Sequence, residues 1–567
     1  MSRLVASAVL LLVSAAMLLL LGTRLAADPL SPYGEQGAEF LEHADRLKLV
    51  ETTRQVGLGH PVAWLEEADR AFPPGIHLLG APWGAVFGHD AVSVTWSAPL
   101  WLLLLALAVG SVAASLDLKV AREEERRSAF VFGAVAALML PAAHAAALRY
   151  HYDLPMTALL WCAVALQLRF QDKRPFLAGS LAGLFLFLAA ATKWSALPLG
   201  VPLIVGAAIA PRRRETLARS MPLHYRAWTV GAAGLVSALL VGGFLAVSME
   251  SLLSMAGTFE EPGGAGSSLW SRFDGGLVEG VRTIVGAVGA AVPEQPLERL
   301  ITYVVHVGTA MLSPLGVLLL AAAMLPWLAT GASGLSMAVV AIGGQLAFLV
   351  LGTPPMDERF LLPSLPFVAL AAAGGCRGVE GRGRQGFIAV LLAGAFFIAW
   401  DFHHGPEGWW NRRAVVRVSQ TEMPQSQGRR FMLASSFGAR GWVRRDEQRD
   451  PRMEQRQQVW QAIADCGARN VVFDTSAVID MQGDGLWWQY RGLLAQVQRQ
   501  DPPMLLSMRD PEVGRVDPTW AVVVTGPVGP PTPAGLGGPW VVARALPEPG
   551  GRGEVRLWVR DGSKVCR

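Results

Sequence analysis

The chain of 567 residues is 52% hydrophobic and only 17% charged, with a mean hydropathy of +0.35. An ordinary soluble protein carries about 25% charged residues. The low charge excludes a disordered chain, the 61 glycines show no triplet period and so exclude collagen, and four cysteines are too few for a disulfide scaffold. What remains is a polytopic α-helical membrane protein with a soluble appendage. Its net charge of +4 is read by position relative to the membrane, and nucleic acid is not an expected partner.

A helix needs about 20 mainly apolar residues to cross the hydrocarbon core. Leu4 to Gly22 is the first such run. It exceeds the roughly 7–15 apolar residues of a signal-peptide core and is read as an uncleaved helix. Further runs lie near 96–116, 128–147, 154–170, 176–192, 195–210, 228–248, 303–327, 334–352, 360–375 and 386–401. That gives about eleven spans, ending at residue 401.

Basic residues in short loops face the cytoplasm. Lys119, Arg122, Arg126 and Arg127 follow the second span; Arg169, Lys173 and Arg174 the fourth; Arg212, Arg213 and Arg214 the sixth; Arg377, Arg382 and Arg384 the tenth. Every cluster follows an even-numbered span, which puts the N-terminus in the cytoplasm of a multi-pass inner-membrane protein. The opposite, periplasmic side then receives an acidic loop at 23–95, a second loop at 249–301 and a tail at 402–567. In the first loop, 39–49 and 63–71 have the pattern of interfacial amphipathic helices. The tail loses its spanning runs and alternates a helical pattern at 451–467 with strand-like runs at 470–474, 521–525 and 555–559, as expected of a small α/β domain. Only Cys466 and Cys566 share that compartment, so a disulfide between them is available.

No nucleotide-binding, metalloprotease, nucleophile-elbow or CxxC motif is present. The informative residues are ionisable groups at the outer ends of spans, where charge is costly and marks function. They are Asp28 beyond the first span, Asp153 before the fourth, Lys193 between the fifth and sixth, and Arg359 with Asp357 before a late span. Carboxylates facing cations suit a lipid phosphate beside a hydroxyl that must lose its proton. Each also has a plainer role: Asp153 as a helix cap, Lys193 as a snorkelling interfacial lysine, Arg359 as an anchor.

In order, the chain carries Thr23-Arg24-Leu25, Asp28, Tyr33-Gly34-Glu35, then Phe72-Pro73-Pro74-Gly75-Ile76-His77, Tyr152-Asp153-Leu154-Pro155, Thr192-Lys193-Trp194 and Arg359-Phe360-Leu361-Leu362-Pro363. Over residues 1–400 this set resembles the membrane-embedded GT-C glycosyltransferases, in particular the aminoarabinose–lipid A transferases and protein O-mannosyltransferases. The family commonly has adjacent Asp-Glu in the first loop, whereas Asp28 is followed here by Pro29, so the base is either Asp28 or Glu35. The Pro-Pro segment lacks the lysine of the aminoarabinose enzymes, so that donor is not assigned.

The resemblance implies transfer of a sugar from a polyprenyl-phosphate donor to a glycan, lipid or protein acceptor, with inversion. Asp28, Glu35 and Asp153 are the candidate catalytic residues; Tyr33, His77, Lys193 and Arg359 are the candidate substrate-binding residues. A divalent metal ion is left open, because His and carboxylates are present without a visible ligand spacing. The rival reading is a transporter or flippase of lipid-linked sugar, to which His144 and His306, inside spans, would lend a proton relay.

Overall fold

The structure is a computed structural model. It describes residues 3–27, 75–88, 96–116, 123–147, 152–193, 195–210, 223–258, 300, 303–304, 311–329, 334–351, 358–379, 382–403, 462–463, 465–466, 470–473, 504–507, 521–525, 539–547, 554–562 and 566. Asp28, Tyr33, Glu35 and His306 lie outside these residues, as do both expected interfacial helices and most of the helix expected at 451–467.

The chain divides into two compact units, one of apolar helices and one containing a β-sheet. In chain order the helices are α1 (Arg3–Ala27), α2 (Gly75–Phe87), α3 (Ala98–Leu116), α4 (Glu123–Leu138), α5 (Pro141–Ala147), α6 (Asp153–Phe170), α7 (Pro175–Thr192), α8 (Ala196–Ile209), α9 (Leu223–Thr258), α10 (Ser313–Ala329), α11 (Gly334–Leu351), a 3-10 helix (Glu358–Ser364), α12 (Pro366–Gly378) and α13 (Arg382–His403). Each apolar run of the sequence therefore holds a helix. By length and hydropathy, three described segments can cross a membrane (Ala98–Leu116, Pro175–Thr192 and Arg226–Gly243), and a fourth if a bent pair counts as one span. The others are shorter apolar helices, or less apolar ones such as α6.

The structure departs from the sequence reading in several places, among them α2, an apolar helix within the stretch 23–95 expected as an outer loop. The run at 128–147 is not one rod: α4 and α5 meet at 62° around Met139 and Leu140. Pro141 has no N–H and disfavours helix at the residue before it. His144, fully buried, donates from Nε2 to the Leu138 carbonyl that the break strands. In the run expected from 303, residues 303–304 are helical and α10 is described from Ser313, with Pro314 in its first turn, where a missing N–H costs nothing. Finally, α9 continues ten residues beyond 248 to Thr258, through helix-forming Met, Glu and Leu.

Helix α3 packs on α4 and α6, α7 on α6 and α9, α8 on α11, and α10 on α12. Glycine permits the closest approaches: a Cβ at Gly183 would lie 3.0 Å from Val236 Cβ, and one at Gly375 3.0 Å from Ala323 Cα. Small residues at such crossings are how helices associate where lipid removes the hydrophobic drive.

The other unit is built on β1 (Asn470–Phe473), β2 (Met504–Ser507), β3 (Ala521–Thr525), β4 (Trp540–Pro547) and β5 (Glu554–Arg560), in the order β2-β1-β3-β5-β4. The β1 strand is parallel to β2 and β3, whereas β5 runs antiparallel to β3 and β4. Every residue of β3 is buried, as its unbroken Ala-Val-Val-Val run requires of a central strand. Cys466 and Cys566 are joined by a disulfide, and the Cys566 N–H donates to the Cys466 carbonyl at 3.0 Å.

Candidate active site

Helices α6 and α7 are each 18 residues long and joined by the turn at 171–174, so they form an antiparallel hairpin of matched arms. Matched arms bring the start of α6 beside the end of α7. Asp153 is the first residue of α6, and Lys193 follows the last residue of α7 with an extended backbone. Lys193 Nζ donates to Asp153 Oδ1 at 2.6 Å across 40 residues of sequence. The acidic group sits at a helix N-terminus and the basic one at a helix C-terminus, the placement both dipoles favour.

The pair is enclosed, with side-chain exposures of 9% for Lys193 and 2% for Asp153, so neither charge is left to water. Such charges persist only when matched. The ammonium also lies 4.5 Å from the ring centroids of both Tyr152 and Phe360, a cation between two aromatic faces. No side chain caps α6. The plain capping role for Asp153 is thus set aside in favour of its bond to Lys193, and Lys193 is a buried counter-ion rather than a snorkelling lysine.

Two further segments reach this corner. Phe360 belongs to the 3-10 helix and follows Arg359 directly, so the backbone of Arg359 stands one residue from a ring that covers Lys193. Gly75 opens α2, and a Cβ there would lie 2.8 Å from Thr192 N, the residue before Lys193. Only glycine permits that approach, and it carries the start of α2, with His77 two residues on, to the end of α7. The fold thus gathers the segments of His77, Asp153, Lys193 and Arg359 at one place, while Asp28, Tyr33 and Glu35 lie outside the described residues. Among the described residues no group of three or more His, Cys, Asp or Glu side chains is placed to hold a metal ion.

Sequence reasoning found the charges but gave the rings of Tyr152 and Phe360 no role. Each stands next to a singled-out charge, and an aromatic beside a costly intramembrane charge is the signal that was available.

An α-helical membrane protein whose helix ends gather acidic, cationic and aromatic residues is the class defined here, and its fold is the GT-C fold. That fold is shared with ArnT from Cupriavidus metallidurans bound to undecaprenyl phosphate, with a TM-score of 0.52 over 97% of this chain and 97% of that one at 14% identity. ArnT from the same organism in the apo state (TM-score 0.49, 15% identity, 90% of this chain and 93% of that chain) is also similar. So is the apo oligosaccharyltransferase of Archaeoglobus fulgidus (TM-score 0.47, 12% identity, 90% of this chain and 65% of that chain). No protein-family model and no curated protein matches the chain in sequence.

Proposed function

We propose that this chain is an integral-membrane glycosyltransferase that moves a sugar from a polyprenyl-phosphate carrier to an acceptor at the outer face of the inner membrane, with inversion at the anomeric carbon. The observation that carries the reading is the gathering of the His77, Asp153, Lys193 and Arg359 segments at one corner, within a fold shared with ArnT bound to undecaprenyl phosphate. In this reading residues 1–401 form the membrane domain of about eleven spans. The stretches 23–95, which includes α2, and 249–301, which includes the end of α9, lie with the domain at 402–567 on the periplasmic side, and the N-terminus lies in the cytoplasm. The Cys466–Cys566 bond supports that side for the tail, because disulfides persist in oxidising compartments.

The acceptor hydroxyl oxygen attacks the anomeric carbon from the face opposite the phosphate. As that C–O bond forms, the bond from the anomeric carbon to the phosphate oxygen breaks, and its electron pair leaves with the polyprenyl phosphate. Asp28 or Glu35 takes the hydroxyl proton; general-base assistance contributes about 10²–10⁴-fold. The donor phosphate is a diester and departs as a monoester, so negative charge grows on it in the transition state. A cation at that point lowers the barrier instead of merely tightening binding. Arg359 supplies it. Lys193, held by Asp153, adds its positive charge beneath the same phosphate. His77 and Tyr33 hold the donor head group.

The test is transfer by purified protein in liposomes, with labelled polyprenyl-phosphate sugars and a pool of glycan, lipid and protein acceptors. Donor-dependent transfer that Asp28→Ala abolishes and Glu35→Ala spares makes Asp28 the base; the reverse pattern makes it Glu35. Labelled lipid crossing the bilayer without transfer overturns the enzyme reading in favour of a flippase. The broken α4–α5 pair with buried His144 is the feature that favours such a transporter. The bond from the His144 ring to Leu138 accounts for that histidine structurally.

A further inference from the structure

The 3-10 helix that carries Arg359 is seven residues long and contains Pro363. Helices of this type bond poorly and rarely exceed one turn, and proline removes a donor from it, so the segment needs support from outside. That support arrives at the end away from Arg359. Trp161 Nε1, two turns along α6 from Asp153, donates to the Pro363 carbonyl at 2.9 Å. Ser364 Oγ donates to Gln345 Oε1, and Gln345 Nε2 donates to the Leu199 carbonyl at 2.7 Å.

Gln345 is fully buried in α11, an otherwise apolar helix, where an amide is costly unless both its ends are bonded. Both are bonded here, and the bonds fix its orientation, since a backbone carbonyl only accepts. The anchors come from α6, which starts at Asp153, and α8, which starts three residues after Lys193. The two helices that flank the ion pair therefore also hold the far end of the Arg359 segment, while Phe360 meets Lys193 at its near end.

We propose that Gln345, acting with Ser364 and Trp161, is a positioning residue for Arg359, bracing the 3-10 helix so that the backbone of Arg359 stays next to the Phe360 ring that covers Lys193. The inference rests on the reading of Arg359 as a ligand of the donor phosphate. The alternative is that Gln345 only glues α11 to α8.

The full chain in nanodiscs is compared as wild type, Gln345→Leu, Ser364→Ala and Ser364→Thr, with Trp161→Phe added where Gln345→Leu does not fold. The first readout is hydrogen exchange of residues 358–364, and the second is binding of undecaprenyl phosphate with and without Arg359→Ala. Loss of the brace speeds exchange in 358–364 by about tenfold, the scale of one lost hydrogen bond, while α8 and α11 keep their rates. Binding weakens by about tenfold in the Arg359 background and by less than twofold once Arg359 is alanine, because the brace acts only through that residue. Ser364→Thr keeps both properties.

Exchange that does not change, or that rises equally in α8 and α11, overturns the proposal. Equal losses of binding in both backgrounds overturn it too, and leave Gln345 as glue. Wild-type protein that neither binds the lipid nor transfers sugar brings down the glycosyltransferase reading with it, whereas transfer with unaltered binding in Gln345→Leu brings down the brace alone.

Discussion

The sheet unit and the helical unit become ordered by different means. In the sheet, Val471, Val472 and the whole of β3 are buried, and Trp558 Nε1 of β5 donates to Thr525 Oγ1 of β3 at 2.9 Å within that buried region. Apolar burial does the sorting there. In the helical unit Leu11, Leu12, Leu235 and Leu239 are exposed, as a lipid-facing leucine can be at no cost. Definition comes instead from glycine contacts and a few enclosed polar groups: Asp153 with Lys193, Gln345 with Ser364, Ser237 with the Gly183 carbonyl. Where the surroundings are as apolar as the side chains, polar groups and close contacts decide which helix meets which.

The largest effect expected from this contrast is in the helical unit. Lys193→Met leaves Asp153 buried and unmatched and should cost about 3–5 kcal/mol, with most of the loss recovered when Asp153→Asn is added. Thermal unfolding followed by size exclusion checks this; a double variant no better than the single would mean the pair does not hold the hairpin. Next, a reductant acts on the sheet unit alone. The Cys466–Cys566 bond closes a separation of 100 residues, and its loss should cost about 2–4 kcal/mol. Faster proteolysis between those residues, with cleavage in α3 to α8 unchanged, is the expected pattern. Two glycines then give a matched pair, Gly183 inside the contact of α7 with α9 and Gly231 on an open face of α9. Gly183→Ala must push against Ala233 and Val236 and should lose about 1–3 kcal/mol of stability. At Gly231 nothing lies within 4 Å of an added Cβ, so Gly231→Ala should be neutral or gain up to about 1 kcal/mol from helix propensity. Unfolding midpoints of the two variants moving in the same direction would contradict the close-packing account.

The helices were legible because an apolar run admits little else in a membrane. Even the Asp153–Lys193 contact was latent: two runs of equal length joined by a tight turn must return to the same level, although the sequence reading weighed each charge separately. The break at Met139 was signalled by Pro141, which a count of apolar residues passes over. Gln345 and Trp161 were invisible for a different reason. Their hydrogen bonds go to backbone carbonyls of segments 146 and 202 residues away, and no spacing rule encodes such partners. A glutamine inside an 18-residue apolar helix was itself a warning that a partner must exist.

The disulfide also orders events in time. At a synthesis rate of about 5–20 residues per second, the Cys466 thiol emerges roughly 5–20 s before Cys566 does. During that interval β1 can pair with β2 and then β3, but β5, which lies next to Cys566, has yet to appear. Cys466 is therefore a waiting thiol on an unfinished sheet, open to the wrong partner in another chain, and the yield of correctly joined protein should follow the supply of disulfide isomerase rather than the rate of translation.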